Sequence, residues 1–420
     1  MSIAVQVKDP RSLPGWIGRA LTKLATIGDQ LLVALANFGL TLSIGRAYGA
    51  EEIASYGIGL SVALMIQGLQ RQAITIPLML QSRTRAARRS GGILAQHYLV
   101  LAAVLVIGAA GLAFGAVAQL GQFGLFVLAA SATCLLVYAE IEFARALLVK
   151  LERPLFLLGS GAWYAALSAG VSSAALYNLI EYETVLAIIA AAMLLHAGLL
   201  GVIVRKLTLR QGLRLLSADV YRYGFWALIA ALTYSGYSHF PLFILGAVSE
   251  PIHAAAFVAT RSLMQPLQVL LRGLDVADKS IFADKASPPH SAEAFRVTLR
   301  QAIPYAAAAA LFGLVIIADP TALISLTYGD KFDHAGPALI AWVPVFFLLS
   351  VCLPFESLVY ARREFRNYYL IRTLGSVCAL AMTLPFIWVW DSVGAIVACG
   401  IGNLIAMWGT LLLLRRGSPA

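Results

Sequence analysis

Polar and apolar residues do not alternate finely along this chain; they come in blocks. Mostly apolar runs occupy about residues 26–45, 54–80, 93–117, 123–148, 154–177 and 184–204, and again about 223–247, 252–274, 301–318, 337–360, 368–390 and 393–414. A helix rises about 1.5 Å per residue and a bilayer core is about 30 Å thick, so each run can cross as a helix. The pattern predicts an all-α integral membrane protein with about twelve transmembrane helices. Ahead of the first run, Trp16, Ile17, Ala20, Leu21 and Leu24 make an apolar face against Arg11, Arg19 and Lys23. That predicts a separate interfacial helix within residues 1–25.

Charge sorts the connections between runs into two kinds. One kind carries Arg83, Arg85, Arg88 and Arg89; Lys150 and Arg153; Arg205, Lys206, Arg210, Arg214 and Arg222; Lys279, Lys285, Arg296 and Arg300; Arg362, Arg363 and Arg366; and finally Arg415 and Arg416. The alternate connections carry Glu51, Glu52, Glu181, Glu183, Glu250, Asp330, Asp333 and Asp391, with Arg46 and Lys331 as their cations. Basic connections remain in the cytoplasm, so both termini are expected on that side. An error of one span would break this alternation.

Composition agrees with the pattern. With 60% hydrophobic residues, 12% charged residues and a mean hydropathy of +0.81, the chain has too little polar surface for a soluble protein of 420 residues. The 31 Lys and Arg against 21 Asp and Glu sit in short clusters between apolar runs. Such clusters read as topology signals and contacts to anionic membrane lipids, with no nucleic acid implied. Cys134, Cys352, Cys378 and Cys399 lie inside apolar runs without metal-type spacing and read as packing residues. A nucleotide-binding loop, GxSxG, HExxH and a Cys/His cluster are all missing from the sequence. The expectation is therefore a protein that is not an enzyme, with no cofactor and no metal.

The runs divide into two sets of six with matching features. Each set opens with a span, a short acidic turn (Gly49 to Ile53, Ala247 to Ile252) and a second span carrying an arginine and glutamines before a basic connection. The fourth span of each set holds a carboxylate, Glu142 or Glu356, about two-thirds of the way down. Two bundles of the same orientation predict parallel repeats about an axis normal to the membrane, with a central cavity between them. The expected units are the interfacial helix 1–25, an N-terminal bundle 26–204, a basic linker 205–222, a C-terminal bundle 223–414 and a tail 415–420.

One charge interrupts the eighth run near its middle. On a continuous helix Arg261, Gln265, Gln268, Arg272 and Asp275 share one face. A cation at mid-membrane costs between about 3 kcal/mol and more than 10, depending on the scale, so it should face protein or a wet cavity. Two readings stand: Arg261 pairs with an acid on a neighbouring helix, or it lines a cavity that receives an anion. In the second span Gln67, Gln70 and Arg71 hold the corresponding place.

The turn Arg46-Ala47-Tyr48-Gly49-Ala50-Glu51-Glu52-Ile53-Ala54-Ser55-Tyr56 resembles the first external turn of the polysaccharide and O-antigen flippase branch of the multidrug/oligosaccharidyl-lipid/polysaccharide (MOP) exporter superfamily. An Arg, a Gly, an acidic pair and a following aromatic recur there; Ala54 stands where that family usually has Gly. The tail from Gly375 to Arg416, two joined spans turning through Asp391 to Ala395 and ending in paired arginines, is similar to the family's last hairpin. The resemblance implies a MOP/MATE-like pair of six-helix bundles in the bacterial inner membrane. It implies a flippase that moves an undecaprenyl-pyrophosphate-linked oligosaccharide repeat unit for O-antigen, capsule or exopolysaccharide export. It further implies other polysaccharide-assembly proteins as partners, and cavity cations, Arg261 and Arg71, that receive the pyrophosphate. Alternatives are a drug/cation antiporter of the same superfamily and a polytopic polysaccharide polymerase or ligase.

Other polar residues within the spans are candidates for that cavity. Gln30, Asn37 and Thr41 share a face of the first span, either lining the cavity or joining helices. Tyr234, Ser235, Tyr237, Ser238 and His239 offer hydroxyls and aromatic faces to a sugar, or act as belt residues. With Gln265, Gln268 and Gln67 these complete the substrate-binding set. Glu140, Glu142, Glu356 and Asp29 are candidates for proton or sodium coupling, the other reading being pairing with Arg145 or Arg372. His97 and His196 stand alone in their spans and read as packed or interfacial histidines.

Overall fold

The structure is a computed structural model that describes residues 15–70, 75, 78, 83–151, 153–204, 232–233, 235–268, 271, 292–362 and 364–416. No water hydrogen-bonds the backbone inside a bilayer, so a spanning segment must satisfy its own amides and carbonyls. Helices do so, and no strand occurs among the described residues. The main helices are α1 (Gly15–Ala47), α2 (Ala50–Gln70), α3 (Arg83–Val117), α4 (Gln122–Lys150), α5 (Pro154–Leu176), α6 (Tyr182–Val204), α7 (Phe240–Val248), α8 (Pro251–Leu263), α9 (Ala292–Ala318), α10 (Pro320–Tyr328), α11 (Gly336–Arg362) and α12 (Phe365–Arg416). Among the described residues eight helical stretches are long and apolar enough to cross a membrane. The last of them reverses at Asp391, where φ is 47°, so α12 is a hairpin of two crossings.

Prolines and caps mark where helices start. Pro154, Pro251 and Pro320 sit in the first turn of α5, α8 and α10, where a missing N–H leaves no bond unmade. The Asp319 side chain caps α10 by accepting from the Ala322 amide at 2.9 Å. Hydroxyls inside the spans turn back on their own helix: Thr41, Thr260, Thr298, Thr383 and Thr410 each donate to the carbonyl four residues earlier. Large apolar side chains such as Val106, Ile107 and Phe114 on α3 and Leu311, Leu314 and Val315 on α9 remain exposed, as lipid-facing residues must.

Three features differ from the expectations. The interfacial helix and the first span are not separate, because α1 continues without a break from Gly15 to Ala47. The loop between Asp319 and Gly336 carries α10 and a short 3-10 helix, Asp330–Ala335. The eighth span is not one unbroken helix: α8 closes at Leu263, the Met264 amide bonds the Arg261 carbonyl at 3.1 Å, and helix resumes at residue 265. Pro266 has no N–H to offer the Ser262 carbonyl, which explains the break.

α1 packs on α5 and α2 on α4 in the N-terminal half, while α9 packs on α11 and α11 on α12 in the C-terminal half. The halves meet at the ends that carry the acidic turns. There α2 presses on α8 so closely that a Cβ on Gly57 would lie 2.1 Å from a methyl of Val258, and no larger residue fits without separating them. The Lys331 ammonium donates to the carbonyls of Arg46 at 2.9 Å and Tyr48 at 2.8 Å, satisfying orphan acceptors past the last turn of α1. Arg46 in turn donates to the Leu326 carbonyl at 3.3 Å. One apolar cluster, containing Ile53, Phe257, Tyr328 and Leu339, runs through both halves.

Candidate functional site

Arg261 lies in the last turn of α8, half-buried. Its Nη1 donates to the Ser238 carbonyl at 2.8 Å, and its guanidinium carbon sits 5.7 Å from the centre of the Trp342 ring. Phe257 and Phe346 meet that ring edge-on at 5.0 and 5.4 Å and hold its face toward the cation. A carbonyl and a π face orient a guanidinium without neutralising it, together contributing on the order of 1–2 kcal/mol. Among the described residues no carboxylate forms an ion pair with Arg261.

The stripe predicted below Arg261 is interrupted. Gln265 and Gln268 are half-buried and lie in the helical segment that resumes at residue 265, after the one-residue turn at Met264. Gln67 is half-buried on α2, whereas Gln70 is buried and donates to the Ala139 carbonyl at 3.0 Å, tying α2 to α4. Arg71 and Tyr234 lie outside the described residues. Asn37 is buried and accepts from the Tyr164 hydroxyl at 2.6 Å, joining α1 to α5. Tyr237 is also buried, pressed against α12 where a Cβ on Gly402 would meet its own Cβ at 2.6 Å.

The carboxylates of the two halves find different partners. In the C-terminal half Glu356 pairs with Arg372, whose guanidinium lies over Tyr368 at 4.7 Å and Tyr237 at 5.8 Å. In the N-terminal half Arg145 bridges two acids, Asp29 through Nε at 2.5 Å and Glu142 through Nη1 at 3.3 Å. Gly161 permits this: a Cβ there would stand 2.6 Å from the Asp29 carboxylate. Glu142 and Glu356 thus pair with arginines, as one of the two sequence readings had it.

Glu140 does not. Its Oε2 accepts from His97 Nε2 at 2.6 Å and its Oε1 from His196 Nδ1 at 2.8 Å. The Ser160 hydroxyl reaches the far nitrogen of His196 at 2.8 Å, and the His97 ring stacks on Phe143 at 3.9 Å. The two histidines that stood alone in sequence therefore belong to one group with Glu140, drawn from α3, α4, α5 and α6. A signal was present: His97 lies eight residues after Arg89, Glu140 ten before Lys150 and His196 nine before Arg205. At about 1.5 Å per residue all three sit about 12–15 Å from the basic connections.

No known sequence family and no curated relative matches the chain. Solved structures do, and they define a class: the chain has the fold of the MOP superfamily transporters. A multidrug resistance MATE transporter in an inward-facing conformation aligns with TM-score 0.67 and 12% identity, over 91% of this chain and 93% of its own. The lipid II flippase MurJ, in an inward closed conformation, aligns with TM-score 0.68 and 11% identity, over 94% and 87%. A eukaryotic MATE transporter aligns with TM-score 0.59 and 11% identity, over 96% of each. The architecture is therefore an all-helical, multi-pass membrane fold of two six-helix bundles.

Proposed function

We propose that this chain is a flippase for a lipid-linked oligosaccharide, carrying an undecaprenyl-pyrophosphate-linked repeat unit from the cytoplasmic to the periplasmic leaflet of a bacterial inner membrane for polysaccharide export. The basic ends of the helices are then cytoplasmic and the acidic turns periplasmic. The observation that carries the reading is the Arg261 guanidinium, oriented by Ser238 and Trp342 and matched by no carboxylate among the described residues. Parallel charge-assisted hydrogen bonds from a guanidinium suit a pyrophosphate and strengthen where water is scarce. The likeness to a lipid II flippase supports a lipid-linked substrate of this chemistry. A drug/cation antiporter would present an unmatched acid to its cargo, yet Asp29, Glu142 and Glu356 are each paired with an arginine. A fold shared with transporters also argues against a polymerase or ligase.

Lipid extraction from a strain lacking the protein tests the reading. A lipid-linked repeat unit should build up on the cytoplasmic side and disappear when the gene is restored. Unchanged lipid-linked sugar together with lost export of a cationic drug would contradict it.

A further inference from the structure

We propose that His97, Glu140, His196 and Ser160 form a proton-binding site, one that takes up and releases a single proton as the transporter works. Each ring nitrogen that faces Glu140 does so at hydrogen-bond length, 2.6 and 2.8 Å, so what is shared between them is a proton. Both rings donate to the carboxylate, which leaves one nitrogen on each to take an added proton. On His97 that nitrogen, Nδ1, is buried with no hydrogen-bond partner among the described residues, which offer no acceptor for a proton there. On His196 it is Nε2, which meets the Ser160 hydroxyl. A hydroxyl donates to the neutral ring and accepts from the charged one by rotating about its own bond. The proton therefore resides on His196.

Charge and access point the same way. With both rings neutral the group buries the net negative charge of Glu140; with one proton bound it is neutral overall, which a membrane interior favours. His196 is the member that reaches the surface, its side chain 12% exposed against 0% for His97 and 1% for Glu140. Among the described residues the titratable and charged groups facing the site are Asp29 from α1, Tyr98 from α3, and Glu142 and Arg145 from α4. Arg145 is already engaged by Asp29 and Glu142, so it does not neutralise Glu140 in place of the proton. A proton drawn from one side and returned to the other would supply the driving force; this step rests on the transporter reading, whereas the binding of the proton does not.

The test needs no substrate. Histidine ring signals of the full-length protein in lipid nanodiscs, recorded by nitrogen NMR across a pH range in which the protein stays folded and assigned with His97→Asn and His196→Asn, should reveal one single-proton step. His196→Asn and Glu140→Gln should each lose the step, and His97→Asn should keep it. A step that persists in both Glu140→Gln and His196→Asn, or rings that stay neutral across the range in the unaltered protein, would overturn the proposal. Because the readout is protonation, failure of the flippase reading in the lipid extraction would leave this result standing, and the reverse holds as well.

Discussion

The two halves of this molecule answer the same problem, a carboxylate in the fourth crossing, with different chemistry. The C-terminal half matches Glu356 with Arg372 and wraps the cation in Tyr237 and Tyr368. An arginine does not deprotonate in a protein, so that pair is fixed in charge. The N-terminal half gives Glu142 and Asp29 to Arg145 but sets Glu140 between two imidazoles, which unlike a guanidinium can be neutral or charged. In the same half as Glu356, Arg261 faces a carbonyl and an indole, and no carboxylate among the described residues pairs with it. On the readings proposed above, one half holds a group that binds a proton and the other a cation that binds an anion.

The largest effect that would break this contrast is expected at the fixed pair. Arg372→Ala leaves the half-buried Glu356 without its partner and should destabilise the protein by about 3 kcal/mol. Thermal unfolding in detergent and membrane abundance read this, and the double change Arg372→Met with Glu356→Leu should recover most of the loss. A small effect of Arg372→Ala alone would mean that the C-terminal group also changes its charge. A smaller effect belongs to the neutral bond between α1 and α5: Tyr164→Phe strands the Asn37 side-chain oxygen and should cost about 1–3 kcal/mol. Smallest is Ser160→Ala, which removes one partly buried bond and should lower stability by about 0.5–1.5 kcal/mol. The ordering of these losses in one unfolding assay separates paired permanent charge from hydrogen bonding alone.

Much of the fold was legible in the sequence because a bilayer imposes a length and a polarity on each crossing. The apolar blocks marked the spanning helices, and the alternation of basic and acidic connections fixed their number. What escaped depended on single residues acting against the pattern. Pro266 removes one amide and interrupts the eighth span at Met264, a one-residue turn that the apolar pattern does not mark. Asp319 followed by Pro320 is a helix start that was readable within what looked like a plain loop. The partners of polar residues were harder. Glu356 with Arg372 and Glu142 with Arg145 are near in sequence and were anticipated. Asn37 with Tyr164, and Glu140 with His97 and His196, are separated by 43 to 127 positions, and periodicity along one helix carries no information about which neighbour it faces. Only equal depth from the basic connections linked the last three.

Export by Arg261 variants tests the central claim most directly, because a cation inside a membrane that no described carboxylate matches needs a compensating role. Export of the lipid-linked repeat unit should be measured beside membrane abundance for Arg261→Ala and Arg261→Lys. Lysine retains the charge but loses the planar fork that grips a pyrophosphate through parallel bonds. The account predicts that Arg261→Ala abolishes export, that Arg261→Lys retains part of it, and that both proteins reach the membrane in normal amount. Normal export by an abundant Arg261→Ala protein would contradict it.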